Sequence, residues 1–150
     1  MIKKSITPII VVLFLSLLGC STKTTTIIKP KGDTNAAESA AVTAARAWLS
    51  FVDNQQYGES WEQAAQVFKG AVKKEQWVKL AQSVINPLGK NVSRELKSKL
   101  YQTNPPGAPA GEYIVIQFSS SFENKKSAIE TITPMLEKDG EWRVSGYFIQ

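Results

Sequence analysis

The segment YIVIQFSSSFENKKSAIETITPMLEKDGEWRVSGYFI, residues 113–149, decides the fold. Its first run, Tyr113–Phe122, sets Ile114, Ile116, Phe118 and Phe122 on one side. A period of two with one apolar side is the pattern of a strand with one buried face. Asn124-Lys125 then makes a hairpin turn into a second run, Ser127–Leu136. Asp139-Gly140 follows, a strong hairpin signal between alternating runs. Trp142–Ile149 closes the segment as a strand. Three strands joined by short turns make an antiparallel meander.

Upstream of this meander lies Asn104–Gly111, NPPGAPAG, a proline-rich loop excluded from regular structure. A further strand precedes it, with Val92, Leu96 and Leu100 read as one apolar face and Arg94 and Ser98 among them. N-terminal to that strand the period changes to the helical one. Ala41, Ala45, Trp48, Leu49 and Val52 recur at helical spacing on one face. This helix starts at Asn35, where Asn35 and Glu38 have capping-box spacing, and stops near Asp53-Asn54. A second helix is expected over Glu59–Lys69, with Trp61, Ala65 and Phe68 aligned and Gly70 as its stop. A third is expected over Lys74–Ile85, with Trp77, Leu80, Ala81 and Val84 aligned, broken by Asn86-Pro87-Leu88-Gly89. Helices first and strands after define an α+β domain. Three N-terminal helices should pack on a curved four-stranded antiparallel meander over residues 35–150.

The N-terminus carries a different signal. Lys3 and Lys4 precede an apolar run, Ile9–Leu18, which ends in Leu17-Leu18-Gly19-Cys20. A basic start, a short apolar stretch and a small residue before the cut describe a secretory signal. The apolar stretch falls short of the roughly 20 residues a spanning helix needs. Leu17–Cys20 resembles the lipobox of bacterial lipoproteins, whose cysteine is lipidated and becomes the first mature residue. The resemblance implies a signal peptide at residues 1–19, lipidation of Cys20 and a membrane anchor in the bacterial cell envelope. Ser21 in place of aspartate implies the outer membrane, facing the periplasm. Residues 20–34, rich in Thr and Lys, read as a flexible tether.

Composition narrows the chemistry. The chain has no histidine and one cysteine. Ser-His-Asp and Cys-His catalysis are excluded, as are zinc sites built on His and Cys. One cysteine allows no disulfide within the chain. The formal net charge is +5, and loss of Lys3 and Lys4 lowers it by two. The remaining lysines are scattered, with no basic stripe of the kind nucleic acid needs. No cofactor and no metal are implied.

In order along the chain, Trp48-Leu49, Asp53, Tyr57, Ser60-Trp61, Phe68, Trp77, Pro87-Leu88-Gly89, Arg94, Pro106-Gly107, Gly111-Glu112-Tyr113, Phe122, Lys125, Glu130-Thr131, Gly140-Glu141-Trp142-Arg143 and Gly146-Tyr147 resemble a bacterial family. That family is catalogued only as a domain of unknown function, number 4019. The resemblance covers about Ala40 to the C-terminus. The ending Trp-Arg-Val-x-Gly-Tyr is also similar to NTF2-like and cystatin-like α+β folds. In those folds a curved sheet wraps helices around a cone-shaped pocket.

Four tryptophans stand out. Trp48, Trp61 and Trp77 lie on apolar helical faces, which reads first as core. The functional reading places Trp61 and Trp77 on a pocket floor, with Tyr113 and Tyr147 at its mouth. Arg94 and Glu130 are charges on otherwise apolar strand faces, and such charges need partners. They pair with each other across the sheet, or they hold a ligand. Asp53, Glu59 and Glu62 gather near the first helix junction, where acids commonly serve as caps and dipole partners; no catalytic residue is assigned. Three functions therefore compete. One is a non-enzymatic module that binds a small ligand or an envelope protein. Another is an accessory lipoprotein that works through a partner surface. The third is a carboxylate-dependent hydrolase or isomerase. An open apolar pocket at Arg94 or Glu130 would favour the first, and a filled interior with an exposed apolar patch the second.

Overall fold

The computed structural model describes residues 34–150. The leader 1–19, Cys20 and the tether as far as residue 33 lie outside the described residues.

Helix α1 spans Asn35–Asp53 and buries Ala41, Ala45, Trp48, Leu49 and Val52. These are the five residues that share a face at helical spacing. Its N-cap is Thr34, one residue before the expected cap. The Thr34 hydroxyl donates to Glu38 Oε1 at 3.1 Å.

The single helix expected over Glu59–Lys69 is two helices. Helix α2 covers Tyr57–Glu62 and helix α3 covers Gln66–Ala71. Between them Ala65 is extended, with φ −62° and ψ 156°. Its N–H donates to the Val144 carbonyl at 2.8 Å. Ala64 and Ala65 are fully buried. The helical ladder is thus broken where the backbone bonds to the sheet instead. Gly70 is helical rather than a stop, and α3 runs on to Ala71. Four α-helices therefore stand where three were expected.

Helix α4 spans Lys74–Ile85, as expected, and buries Trp77, Ala81 and Ile85. At its start Gln76 Oε1 accepts the Lys73 N–H at 3.2 Å. A 3-10 turn at Asn86–Leu88 leads to Gly89, whose φ is +74°.

Strands β1 (Asn91–Thr103), β2 (Glu112–Phe122), β3 (Ala128–Leu136) and β4 (Trp142–Ile149) form one open antiparallel sheet in the order β1-β2-β3-β4. β1 and β4 are its edges. Helix α1 touches all four strands. Ile114, Ile116, Phe118, Ile132, Val144 and Tyr147 pack from the sheet against the buried helical residues. A smaller cluster joins Ala65, Tyr113 and Met135.

β1 departs from the expected single apolar face. Its pairing with β2 shifts between Asn91 and Ser93 and again between Leu96 and Ser98. Leu96 stands opposite Phe118, but beyond the second shift Lys99 stands opposite Ile116 and Leu100 opposite Val115. A bulge inserts one residue and turns the later side chains to the other face. Lys99 therefore takes a position on the helical side and meets Glu38 of α1 at 2.9 Å. Leu100 faces the open side. Val92, Leu96 and Leu100 are 63%, 41% and 53% exposed.

Candidate functional site

The chemistry that the fold concentrates lies around Glu130. This carboxylate on β3 is fully buried. Its Oε2 accepts Arg94 Nε–H at 2.6 Å and Ser120 Oγ–H at 2.5 Å. Its Oε1 accepts Tyr147 O–H at 2.7 Å and Arg94 Nη2–H at 3.1 Å. Arg94 turns its other side to Asp53, the last residue of α1. Nη1 donates to Oδ2 at 2.6 Å, and Nη2 to Oδ1 at 2.9 Å. One guanidinium thus bridges two carboxylates, each bidentately, the strongest geometry for such a pair.

The register explains how the residues meet. Arg94 lies opposite Ser120, and Ser120 lies opposite Ala128. Two small side chains leave room for the guanidinium to reach across β2. All four strands and α1 contribute a member. Two carboxylates against one guanidinium leave an excess negative charge. Ser120 and Tyr147 offset it as donors. Among the described residues no buried side-chain nitrogen or oxygen lacks a partner.

The electrostatics follow. Burial works against the Arg94 charge, but hydrogen bonds and charge from Asp53 and Glu130 outweigh it and raise its pKa. Burial, then the Glu130 charge and hydrogen bond, push the Tyr147 hydroxyl well above its usual value. Burial and the Asp53 charge also raise Tyr57.

The remaining residues singled out in the sequence are dispersed. Trp77 is buried and donates its ring N–H to Ser60 Oγ at 2.9 Å. It packs with Trp48, Phe68 and Tyr147 in one aromatic cluster, with neighbouring centroids 5.1–6.3 Å apart. Trp61 is half-buried; its ring N–H donates to the Val72 carbonyl at 2.7 Å, and Lys69 Nζ lies 5.9 Å from its ring. Tyr113 sits in the smaller cluster and donates to the Pro109 carbonyl. Of the helix-junction acids, Asp53 binds Arg94, Glu62 binds Lys74 at 2.9 Å, and Glu59 is exposed. Asp53, Ser120 and Tyr147 are the members that sequence reasoning missed as partners of Arg94 and Glu130. No spacing links them, since α1 meets β1 only through the tertiary fold.

Two concavities flank the core. A cleft of about 30 Å³ between α4 and β4 is lined by Trp77, Leu80, Val84 and Ile149, room for one water. A shallow groove of about 280 Å³ lies between α1 and β4, lined by Ala44, Ala47, Phe51, Gln63, Trp142 and Arg143. Neither reaches Glu130 or Arg94. Among the described residues no three Asp, Glu, His or Cys side chains gather as metal ligands.

The fold and the network define an α+β domain whose ionic chemistry is turned inward. Residues 44–147 match the family described as "Protein of unknown function (DUF4019)", and the chain belongs to it. No curated protein matches the chain.

Proposed function

We propose that this chain is a lipid-anchored protein of the bacterial cell envelope, tethered to the outer membrane through Cys20 with its domain in the periplasm. It works by binding another protein, not by catalysis. We read its sheet and helices as a variant of the NTF2-like or cystatin-like arrangement in which the cone is filled. The observation that carries this reading is the contrast between inside and edge. Trp48, Phe68, Trp77 and Tyr147 occupy the space between helices and sheet. The exposed large apolar side chains of the described residues, Val92, Leu96 and Leu100, all lie on β1. Leu96 on the helical side and Leu100 on the open side flank the same sheet edge, where a partner chain would cover both. Glu130 is fully buried with four donors on it, which leaves it no route to a substrate.

Two measurements test the reading. In metabolic labelling with an alkyne fatty acid, wild type takes up label and Cys20→Ser does not; equal label in both overturns the anchor. In affinity purification of the full chain from its own envelope, protein partners copurify and are lost from Leu96→Ser/Leu100→Ser. Recovery of a small molecule alone, unaffected by that variant, overturns the partner surface.

A further inference from the structure

We infer that the groove between α1 and β4 binds a neutral saccharide, with the Trp142 indole as the platform for one sugar ring. The groove lies at the β4 edge of the sheet, so this site stands apart from the partner surface on β1.

The groove measures about 280 Å³, close to the roughly 300 Å³ at which small-molecule sites begin. Ala44, Ala47 and Phe51 form its α1 wall, and Trp142 stands in its β4 wall. Alanines three apart share one helix face, and their small side chains leave that wall open. Trp142 is half-buried and packs in part against the core. The other three tryptophans all donate their ring N–H within the protein: Trp48 to the Ser60 carbonyl, Trp61 to the Val72 carbonyl and Trp77 to Ser60 Oγ. Trp142 has no such acceptor among the described residues. No buried side-chain nitrogen there lacks a partner, so the Trp142 N–H is open to solvent. The tryptophan of the groove is thus the one that keeps a free donor beside its aromatic face.

The polar groups around it are also uncommitted. Gln63 and Glu141 line the groove and are exposed, and neither side chain holds a hydrogen bond or ion pair among the described residues. Arg143 binds Glu137 and Asp139 through Nη1 alone. That fixes the guanidinium and leaves Nε and Nη2 as donors.

These groups select a class of ligand. The charges of Glu141 and Arg143 cancel, so the groove favours neither a cation nor an anion. An apolar ligand would cover an amide, a carboxylate and an indole N–H without pairing them, which is costly. An extended peptide would add to the free edge of β4, but the Val144 carbonyl is already taken by the Ala65 N–H at 2.8 Å. A saccharide meets each demand. Its ring offers an apolar C–H face to the indole, and its hydroxyls both donate and accept. Glu141 accepts, Arg143 and the Trp142 N–H donate, and Gln63 does either. The same chemistry is found in a free sugar and in a unit of an envelope glycan.

The test uses the full chain in micelles of a detergent without a sugar headgroup. The probes are maltose, cellobiose and N,N′-diacetylchitobiose, read by saturation-transfer NMR. At least one receives saturation, strongest on the C–H protons of one ring face. Molar salt leaves the binding unchanged, because no charge pair holds the ligand. Trp142→Ala weakens binding at least about tenfold, as loss of an aromatic anchor does. Ala47→Trp fills the groove and abolishes binding. Ala47 is exposed, so this variant keeps the wild-type melting temperature and separates loss of the site from loss of the fold. Sedimentation with purified cell-wall sacculi distinguishes the two sources. Cosedimentation that Ala47→Trp removes assigns the glycan; binding of a disaccharide without cosedimentation assigns a free sugar. Saturation of none of the probes, saturation that survives Ala47→Trp, or binding lost in molar salt overturns the saccharide site.

Discussion

Glu130 exposes none of its surface yet accepts four hydrogen bonds, two of them from Arg94, whose guanidinium also holds Asp53. Breaking a buried pair from one side leaves an orphan charge, which costs about 3–5 kcal/mol. Arg94→Met and Glu130→Gln should each destabilise by that amount in urea denaturation. The double variant should cost less than the sum of the singles, because neither orphan remains. Asp53 has a side chain 31% exposed, so Asp53→Asn should cost only about 1 kcal/mol, as water replaces part of what is lost. Small, additive single effects would rule out a stabilising network. Tyr147 gives the network a pH dependence. Its folded pKa lies well above the ordinary 10.0, raised by burial and then by Glu130. The folded state therefore keeps a proton that the unfolded chain releases. Stability is intact below about pH 10 and falls as pH rises beyond it, by up to about 1.4 kcal/mol per pH unit for one such group. Tyr57 and Tyr113 shift in the same direction. Tyr147→Phe should lose about 1–3 kcal/mol at neutral pH, since a buried carboxylate loses a donor. It should also flatten the alkaline decline between about pH 10 and 11. An unchanged alkaline slope would mean that Tyr147 does not carry it.

At the scale of the elements, two glycines have opposite roles. Gly89 links the 3-10 turn to β1 with φ +74°, and an added Cβ would meet Glu123 Cβ at 2.8 Å. Gly89→Ala should destabilise by about 1–3 kcal/mol through backbone strain, with the contact adding to it. Gly70 lies inside α3, and nothing comes within 4 Å of an added Cβ there. Gly70→Ala should stabilise by about 0.5–1 kcal/mol, by the helix propensity of alanine. Thermal unfolding of both variants checks the pair, and a loss of stability in Gly70→Ala would contradict its place in the helix. The same glycine shows where sequence reading stops. As punctuation after a run of helical period, Gly70 reads as a stop. The actual interruption falls at Ala65, a good helix former, because its N–H is claimed by Val144 nearly eighty residues later. The β1 bulge is similar. Val92, Leu96 and Leu100 keep an even spacing, but the shift at Leu96/Ser98 divides them between faces. The five buried residues of α1, the bounds of α4 and the two C-terminal hairpins were legible because local periodicity and turn residues fix them. The pairing of Arg94 with Glu130 was legible from the cost of charges on apolar faces. Its extension to Asp53, Ser120 and Tyr147 depends on register and on helix placement, which no local pattern carries.

For the whole molecule, the question is what holds a domain of this size together. One cysteine permits no internal disulfide, and no metal-ligand cluster occurs among the described residues. The burden falls on the larger of the two buried clusters, in which α1 touches every strand and the aromatic cluster ties α1, α3 and α4 to β4. The Glu130 network should add little net stability, since burying ions costs nearly what their attraction returns. Stability should therefore track apolar packing. Thermal unfolding of the full chain should give the same midpoint with and without chelator, and with and without reductant. Leu49→Ala, at a fully buried position, should lower stability by about 2–5 kcal/mol. A midpoint that falls sharply with chelator would place a cation among the carboxylates, where oxygen ligands alone suffice for calcium. A midpoint that falls with reductant would require a disulfide between the Cys20 residues of two chains, and would overturn lipidation at that residue in the same measurement.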